Sequence, residues 1–239
     1  MLRLEGIKWN AEDGTEILKG IDMEIPDGKL VVITGPNGSG KTTLAKLIAG
    51  LVTPSEGHIY LENQDITELD MTQRARMGMA YAFQQPVRFK GITVRQLMQI
   101  AAGGELTYSE LCDYLSMVGL CAREYVDREV NATLSGGEIK RIEIATVLAR
   151  KAKLSVFDEP EAGIDLWSFT NLIEAFQNMR KNLQGSLIII SHQERILKIA
   201  DEIVIVADGK VQAKGPAEEM MNQVVLANSM SKSCVKQEG

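Results

Sequence analysis

Residues 30–50 read L-V-V-I-T-G-P-N-G-S-G-K-T-T-L-A-K-L-I-A-G, and the rest of the chain is organised around them. The stretch opens with an apolar, β-branched run, which is typical of a strand buried on both faces. A helix is predicted to follow, because Leu44, Leu47 and Ile48 fall on one helical face. Gly50 is a suitable residue to end this helix. The stretch therefore predicts a strand, a glycine-rich loop and a helix in direct succession.

The loop between strand and helix has the pattern G-x-x-x-x-G-K-T, which suits phosphate binding. Its glycines allow positive φ angles and direct several backbone N–H groups at one anion, beside the positive end of the helix dipole. Lys41 adds a positive charge for the β- and γ-phosphates of a nucleotide, and the Thr42 hydroxyl can ligate Mg²⁺. A turn that only caps a helix is the weaker alternative, since strand, loop and helix are in register. The residues predicted to bind the nucleotide here are Gly35, Asn37, Gly38, Ser39, Gly40, Lys41, Thr42 and Thr43.

Composition and charge limit the classes of protein to which the chain can belong. Its 239 residues suffice for one large α/β domain, and 45% hydrophobic and 24% charged residues are typical of a soluble globular protein. The net charge of −6 argues against nucleic-acid binding, which usually needs a basic excess. No apolar run approaches the roughly 18 residues of a membrane span, and the first residues show no signal-peptide pattern. We therefore expect a cytoplasmic protein without direct membrane insertion, which reaches a membrane only through a partner.

Two residue types that often carry function have ordinary interpretations in this chain. Cys112, Cys121 and Cys234 show no C-x-x-C spacing, so they are interpreted as reduced thiols rather than metal ligands. Trp9 is the only aromatic residue near the N-terminus that could stack on an adenine ring, although packing against the core is the commoner role.

Hydrophobic periodicity divides the chain into an α/β core and a helical insertion. Strands are predicted at 2–7, 16–25, 58–61, 78–83, 154–157 and 186–190, with a hairpin at 202–206 and 210–213. Helices are predicted at 94–102, 108–118, 166–182, 194–200 and 216–225, and another begins after Ser135. A turn is predicted at 122–127 within the helical insertion. We expect a single domain whose nucleotide-binding core comprises residues 1–84 and 133–215. Residues 85–132 then form a helical subdomain, and residues 216–239 form a C-terminal helix and tail.

Three polar side chains follow predicted strands and can perform phosphoryl transfer to water. Asp158 ends a buried apolar strand, where a carboxylate needs a cation such as Mg²⁺. Glu159 comes next and is free to act as a general base on water. His192 also follows a strand, from which it can bind the γ-phosphate or orient Glu159. The alternatives are a helix cap at Asp158 and an ordinary loop histidine at His192.

Together these segments resemble the ABC-type ATPases over about residues 2–215. The matching motifs are the Walker A motif at 35–43, the Q-loop at Gln84, the signature at 134–138, the Walker B motif at 156–160, the D-loop at 162–165 and the switch histidine, His192. The resemblance implies an ABC ATPase nucleotide-binding fold of the α/β class. Its parts are a P-loop parallel-sheet core, an N-terminal antiparallel β-subdomain and a helical subdomain.

The resemblance also implies roles for individual residues in Mg²⁺-dependent ATP hydrolysis. Two copies of the chain, or this chain and a relative, would sandwich two ATP molecules head to tail. Ser135, Gly136 and Gly137 of one subunit would close on the ATP held by Lys41 of the other. Gln84 would contact Mg²⁺ or water and report the state of the nucleotide. The implied catalytic residues are Glu159, His192 and Gln84, and the implied metal ligands are Thr42, Gln84 and Asp158.

Finer details are similar to SufC, the ATPase of SUF iron–sulfur cluster assembly. Residues 135–144 resemble S-G-G-E-x-K-R-x-E-I, whereas importers usually carry Gln at the position of Glu138. Residues 82–91 resemble A-F-Q-x-P-V-x-x-x-G, and residues 192–197 resemble H-x-x-R-I-L. Pro160 and Glu161 depart from this pattern, as does the short helical insertion. The resemblance implies a SufB/SufD-like scaffold as partner, and the alternative is the membrane subunit of an ABC transporter. As a hypothesis, the partner docks on residues 86–97, where Val87, Phe89, Ile92 and Val94 form an apolar run.

Overall fold

The computed structural model describes residues 1–85, 87–131, 133–181 and 185–221, apart from the side chain of Trp167. The strands in these ranges are β1 (Leu2–Asn10), β2 (Glu16–Ile25), β3 (Leu30–Thr34), β4 (Glu56–Leu61), β5 (Gln64–Asp65), β6 (Met79–Ala82), β7 (Leu154–Asp158), β8 (Ser186–Ile190), β9 (Glu202–Ala207) and β10 (Lys210–Pro216). The helices are α1 (Lys41–Ala49), α2 (Met71–Arg76), α3 (Val94–Ala102), α4 (Tyr108–Met117), α5 (Ala122–Tyr125), α6 (Gly136–Arg150), α7 (Leu166–Lys181) and α8 (Glu194–Leu197).

The strands form two sheets, as the sequence predicted. A six-stranded sheet has the order β10-β9-β3-β8-β7-β6, and an antiparallel sheet has the order β2-β1-β4-β5. In the larger sheet β6, β7, β8, β3 and β9 are parallel, and β10 pairs antiparallel with β9 as a hairpin. Strand β3 lies in the middle, where Val32 pairs with both Ile189 and Ile203. The phosphate-binding loop therefore leaves the centre of the parallel sheet at its carboxyl edge.

The larger sheet is the middle one of three layers. Every residue of β3 is buried, and the side chains alternate between two hydrophobic clusters. Leu30 and Val32 belong to the cluster built by α3, α4, α6 and α7, whereas Val31 and Ile33 belong to the cluster of α1 and the antiparallel sheet. This burial on both faces explains why the strand reads as a continuous apolar run. The loop at its end is thus anchored by packing on both sides.

The helical segment between β6 and α6 matches the sequence prediction closely. Helices α3, α4 and α6 all begin with a complete capping box, at Thr93, Thr107 and Ser135 respectively. Helix α4 ends at Met117, one residue before the predicted bound, and the short helix α5 lies where the sequence predicted a turn. Within the described ranges, no helix is long and apolar enough to cross a bilayer. The division of the chain into core, helical subdomain and tail stays a prediction.

Two helix predictions near the C-terminus are corrected by the structure. Helix α8 ends at Leu197 rather than at residue 200. Pro216 does not open a helix but ends β10, where it pairs with Glu202. Proline is tolerated there because β10 is an edge strand of the sheet. Residues 217–221 are helical, and residues 222–239, including Cys234, lie outside the described part of the chain.

Candidate active site

The backbone of the loop at residues 35–40 requires glycine at two positions. Gly35 has a φ of 145°, and a Cβ atom there would lie 1.9 Å from the carbonyl oxygen of Val206. Gly40 has a φ of 95° and directly precedes α1, where a Cβ would meet the side chain of Leu18 at 2.6 Å. A larger residue would displace β9 or β2, so the glycines allow the loop to turn into the helix N-terminus.

Lys41 lies across this loop. Its Nζ donates hydrogen bonds to the carbonyl oxygens of Gly35 at 2.8 Å and Pro36 at 2.7 Å. Burial lowers the pKa of Lys41, and the carboxylates of Glu159 and Asp158 oppose this effect. The ammonium group is therefore already at the loop before any phosphate is present, where it can exchange carbonyl partners for phosphate oxygens.

Asp158 lies at the end of β7 beside the first turn of α1. It is buried, with Oδ1 3.3 Å from the Thr42 hydroxyl and Oδ2 3.2 Å from the Tyr81 hydroxyl. Burial raises the pKa of Asp158, and the hydrogen bond from Tyr81 opposes that rise. A buried carboxylate next to a hydroxyl is a suitable oxygen donor set for Mg²⁺, which would neutralise the charge that burial disfavours. Thr42 and Asp158 therefore fit the predicted metal site, with Tyr81 as a supporting residue that the sequence did not reveal.

Glu159 has an unusual backbone conformation. Its φ is 45°, in the left-handed region that non-glycine residues rarely adopt, and its N–H donates to the carbonyl of Ile190 at 3.0 Å. Its side-chain Oε2 accepts a hydrogen bond from Gln84 Nε2 at 2.7 Å. The contact partner of Glu159 is thus Gln84, whereas the predicted orienting residue, His192, approaches Gln193 at 3.5 Å. Strain of this kind is typical of a residue whose position matters for function.

These residues surround a cavity of about 540 Å³. The lining residues are Ile17, Asn37, Gly38, Gly40, Lys41, Thr42, Thr43, Gln84, Glu159 and His192. The cavity joins the end of β3, the start of α1 and the loops after β6, β7 and β8. Trp9 is not among the described lining residues and packs against the core, whereas Ile17 supplies apolar surface next to the phosphate loop. This apolar contact was missed because an aliphatic residue in a strand has no distinctive signature.

Comparisons with known proteins agree with this arrangement. The profile of the family described as "ABC transporter" matches residues 18–162, which is more than half of the chain. This chain belongs to the ABC transporter family of ATP-binding proteins. The uncharacterized ABC transporter ATP-binding protein MJ0035 of Methanocaldococcus jannaschii is 37% identical over 213 residues, which are 86% of this chain and 85% of that protein.

A second relative and a solved structure are also similar to this chain. The sulfate/thiosulfate import ATP-binding protein CysA of Synechocystis is 35% identical over 211 residues, 85% of this chain and 57% of that protein. The dimeric post-hydrolysis structure of the ATP-binding cassette MJ0796, bound to ADP and phosphate, has a TM-score of 0.79. It is 22% identical and covers 91% of this chain and 99% of its own, so this likeness concerns the fold. The chain is therefore an ABC ATPase that uses ATP and Mg²⁺.

The residues that the sequence predicts as the signature lie at the start of α6. Ser135 is the N-cap, and its Oγ accepts the N–H of Glu138 at 3.2 Å, while the N–H of Ser135 donates to the Glu138 carboxylate at 2.7 Å. Neither Ser135 nor Gly136 or Gly137 is among the described residues that line the cavity. The structure therefore assembles the Walker A, Walker B, Q-loop and switch residues around one cavity and leaves the signature apart.

Two buried charged residues of α6 hold the residue that precedes Gln84. Glu143 Oε1 accepts the N–H of Phe83 at 2.9 Å, and Lys140 Nζ donates to the Phe83 carbonyl. The Lys140 side chain is 1% exposed and lies 3.0 Å from the Glu143 carboxylate. Burial raises the pKa of Glu143, and Lys140 opposes that rise. The signature helix is thus tied to the backbone of the Q-loop.

Glu161 links the Walker B loop to the switch loop, a contact that the sequence did not reveal. Its Oε1 accepts the Ser191 hydroxyl at 2.5 Å, and Ser191 Oγ accepts the N–H of Gln193 at 3.0 Å. The other carboxylate oxygen, Oε2, is buried and has no hydrogen-bond partner among the described residues. Burial raises the pKa of Glu161, and the bond from Ser191 opposes that rise. Glu161 therefore holds the Ser191 side chain, which in turn holds the backbone N–H on the other side of His192.

Proposed function

We propose that this ABC ATPase works as a head-to-tail pair in which each ATP is held by the Walker motifs of one subunit and the signature of the other. The observation that carries the proposal is the separation, within one subunit, of the cavity residues from the start of α6. The cavity collects Lys41, Thr42, Gln84 and Glu159, whereas the N–H-rich start of α6 lies elsewhere on the subunit. A helix N-terminus binds anions well, so closing it on the γ-phosphate of a second subunit completes the site.

In this proposal, hydrolysis divides among side chains already in contact. The loop N–H groups and Lys41 bind the phosphates of ATP and stabilise the charge that develops on the γ-phosphate. Mg²⁺, held by Thr42 and Asp158, would neutralise phosphate charge when bound. Glu159 accepts a proton from the attacking water, and Gln84 holds the Glu159 carboxylate in place. His192, at the rim of the cavity, would donate a hydrogen bond to the γ-phosphate.

The variant Glu159→Gln tests these roles. We expect it to bind ATP, to lose turnover and to accumulate as an ATP-dependent dimer in analytical ultracentrifugation. Adding Ser135→Arg should abolish that dimer while the affinity of the monomer for ATP stays unchanged. Normal hydrolysis by Glu159→Gln would remove Glu159 from the role of base. A loss of ATP affinity in the Ser135→Arg monomer would place the signature in the same subunit as the nucleotide.

For the partner that the pair moves, we propose the membrane subunit of an ABC transporter as the first candidate. The names of the relatives support it, since CysA of Synechocystis is an import ATP-binding protein and MJ0035 is called an ABC transporter protein. ATP can shift such a partner only if open and closed pairs bind ATP with different affinity.

The second candidate is a SufB/SufD-like scaffold of iron–sulfur cluster assembly. The observation that favours it is the contact of Lys140 and Glu143 with Phe83, because both residues belong to the SUF-like pattern at 135–144. In this structure the two residues of the pattern act together on the segment that leads to the docking surface. None of the relatives described above carries a SUF name, so this candidate depends on the residues alone.

Either partner is expected to dock next to the Q-loop, on the exposed side chains of Val87 and Phe89. These are 46% and 36% exposed. Val94, at the start of α3, is fully buried, so the prediction that it belongs to the apolar docking surface is wrong. Pro86 lies outside the described residues. Charge reversal at Arg88 and Lys90 should weaken pull-down of the partner without lowering nucleotide affinity. Unchanged pull-down would exclude this docking surface.

Affinity purification of the tagged chain from its native cells under anaerobic conditions separates the two partners. A polytopic membrane protein without iron would establish the transporter candidate. A partner with iron and acid-labile sulfide would establish the scaffold candidate. Iron and sulfide should be assayed in parallel with identification of the proteins, and the Arg88 and Lys90 variant serves as the control for non-specific capture.

A further inference from the structure

A cluster of three side chains lies behind the signature segment. Glu138 occupies the first turn of α6, and both oxygens of its carboxylate are engaged. Oε2 accepts the N–H of Ser135 at 2.7 Å, and Oε1 accepts the hydroxyl of Tyr125. The carboxylate therefore sits at the positive end of the helix dipole, where it stabilises α6.

This carboxylate conflicts with the role proposed for the signature. The γ-phosphate of ATP is an anion that would use the same helix N-terminus, and two negative charges at one helix end repel each other. The pKa of Glu138 is lowered, first by the hydrogen bond from Tyr125 and also by Arg128, so Glu138 is charged at neutral pH. A glutamine at this position would carry no charge. The chain must therefore offset the charge of Glu138 if the segment is to approach ATP.

Arg128 is placed to do this. Its Nη1 lies 3.6 Å from Glu138 Oε1, and its guanidinium lies over the ring of Tyr125 at 5.0 Å from the centroid. Its Nη2 is 3.5 Å from the carbonyl oxygen of Thr133, in the turn that leads to the signature. The side chains of Arg128 and Glu138 are 37% and 18% exposed, so solvent screens this pair only in part. Arg141, another cation near this helix start, contacts the carbonyl oxygens of Gly137 and Gly119 instead.

We propose that Tyr125 and Arg128 are positioning residues that neutralise and hold Glu138, so that the signature N–H groups can meet the γ-phosphate of the partner's ATP. The inference rests on the proposed head-to-tail function. Neither residue needs to touch the nucleotide, because the effect of both passes through the Glu138 carboxylate. Removing the positive charge is harmful only while residue 138 is negative, and this dependence is what an experiment can measure.

The test is a double-mutant cycle in the Glu159→Gln background, which should form an ATP-dependent dimer. The variants are Arg128→Gln, Glu138→Gln and the two combined, and Arg123→Gln on α5 serves as a control that removes an exposed positive charge. Sedimentation over a range of concentrations at saturating ATP gives the dimer dissociation constant. An unbalanced charge at a helix end changes the affinity for an anion by about threefold. Because a dimer contains two ATP sites, each with one signature, Arg128→Gln should raise the dimer dissociation constant about tenfold. The combined variant should return to within about twofold of the parent.

Binding of ADP to the monomers, measured by calorimetry, distinguishes positioning from folding. We expect the same ADP affinity in all four variants. Tyr125→Phe keeps the ring beneath Arg128 but loses the hydroxyl, so its dimer dissociation constant should lie between those of the parent and Arg128→Gln. If Arg128→Gln dimerises as well as the parent, or if Glu138→Gln fails to rescue it, the inference is wrong. A lowered ADP affinity in Arg128→Gln would also overturn it, since Arg128 would then support the fold. If the Glu159→Gln parent itself stays monomeric with ATP, the proposed head-to-tail function fails first.

Discussion

The buried ion pair of α6 gives the sharpest prediction about stability. Lys140→Met removes the charge that faces Glu143 but keeps most of the side-chain volume. Lys140 is 1% exposed and the Glu143 side chain is 15% exposed, so Glu143 would be left as an uncompensated charge in a dry environment. Breaking such a pair from one side costs about 3–5 kcal/mol. We expect about 3 kcal/mol, because burial already raises the pKa of Glu143 and the carboxyl can take up a proton.

The double variant Lys140→Met/Glu143→Gln should recover most of this loss. The glutamine introduced by Glu143→Gln carries no charge, and its carbonyl oxygen can still accept the N–H of Phe83, which Glu143 accepts at 2.9 Å. Only the bond from Lys140 to the Phe83 carbonyl remains broken, and one such bond contributes about 1 kcal/mol. The double variant should therefore be about 2 kcal/mol more stable than Lys140→Met alone.

Urea unfolding followed by circular dichroism measures these differences. A loss of about 3 kcal/mol should lower the urea midpoint by about 1 M at an m-value of about 3 kcal/mol/M. Lys153→Met is the matched control, because Lys153 pairs with Glu62 at 2.8 Å while both side chains are more than half exposed. That pair should contribute less than about 1 kcal/mol. A loss below about 1 kcal/mol in Lys140→Met, or a double variant no more stable than the single one, would refute the reasoning.

Three further predictions follow from buried polar contacts. Arg74→Met should lower the free energy of unfolding by about 3 kcal/mol, because the buried guanidinium donates to the carbonyls of four residues of α1 and neighbouring turns. Arg76 is exposed, so the control Arg76→Met should change the free energy of unfolding by less than about 0.5 kcal/mol in the same urea assay. Burial raises the pKa of Glu161 above its ordinary value of 4.5, so the Glu161 carboxyl holds its proton more tightly in the folded chain than in the unfolded chain. As the pH rises above 4.5, the loss of this proton increasingly destabilises the fold. Glu161→Gln should therefore stabilise the chain more at pH 8 than at pH 5, and an equal effect at both pH values would contradict this. Tyr81→Phe removes the hydroxyl that donates to Asp158 Oδ2, and it should raise the Mg²⁺ concentration for half-maximal ATPase activity about tenfold. An unchanged midpoint in the magnesium titration would contradict this prediction.

The sequence predicted the fold and most of the cavity for one physical reason. Residues that directly follow parallel strands meet at the carboxyl edge of the sheet, so the loop at 35–40, Gln84, Glu159 and His192 had to converge once their strands were recognised. The helices of the segment before α6 were predicted almost to the residue, because their capping boxes are local patterns.

The buried charged residues could not be predicted in the same way. The partners of Arg74 and Lys140 include backbone carbonyls of distant segments, and a sequence shows which residue carries a charge but not which carbonyl it contacts. Glu161 is hidden for a related reason, since its partner, Ser191, lies 30 positions away on another strand end. Val94 was placed on the docking surface because apolar residues in a loop-like context look exposed, although the first turn of α3 faces the core.

These hidden contacts join the parts that the motifs identify separately. Helix α6 carries the predicted signature at its start and holds Phe83 through Lys140 and Glu143, about one and two turns later. Phe83 precedes Gln84, whose side chain bonds Glu159. In the proposed pair, a shift of α6 on closing would therefore move the Q-loop. A partner docked on the segment after Gln84 would be displaced by that movement. Linkage requires the reverse as well, so a docked partner should change ATP-dependent closing in the parent chain. This influence should be weaker in Lys140→Met/Glu143→Gln, which keeps the bond from the Phe83 N–H but loses the bond to the Phe83 carbonyl.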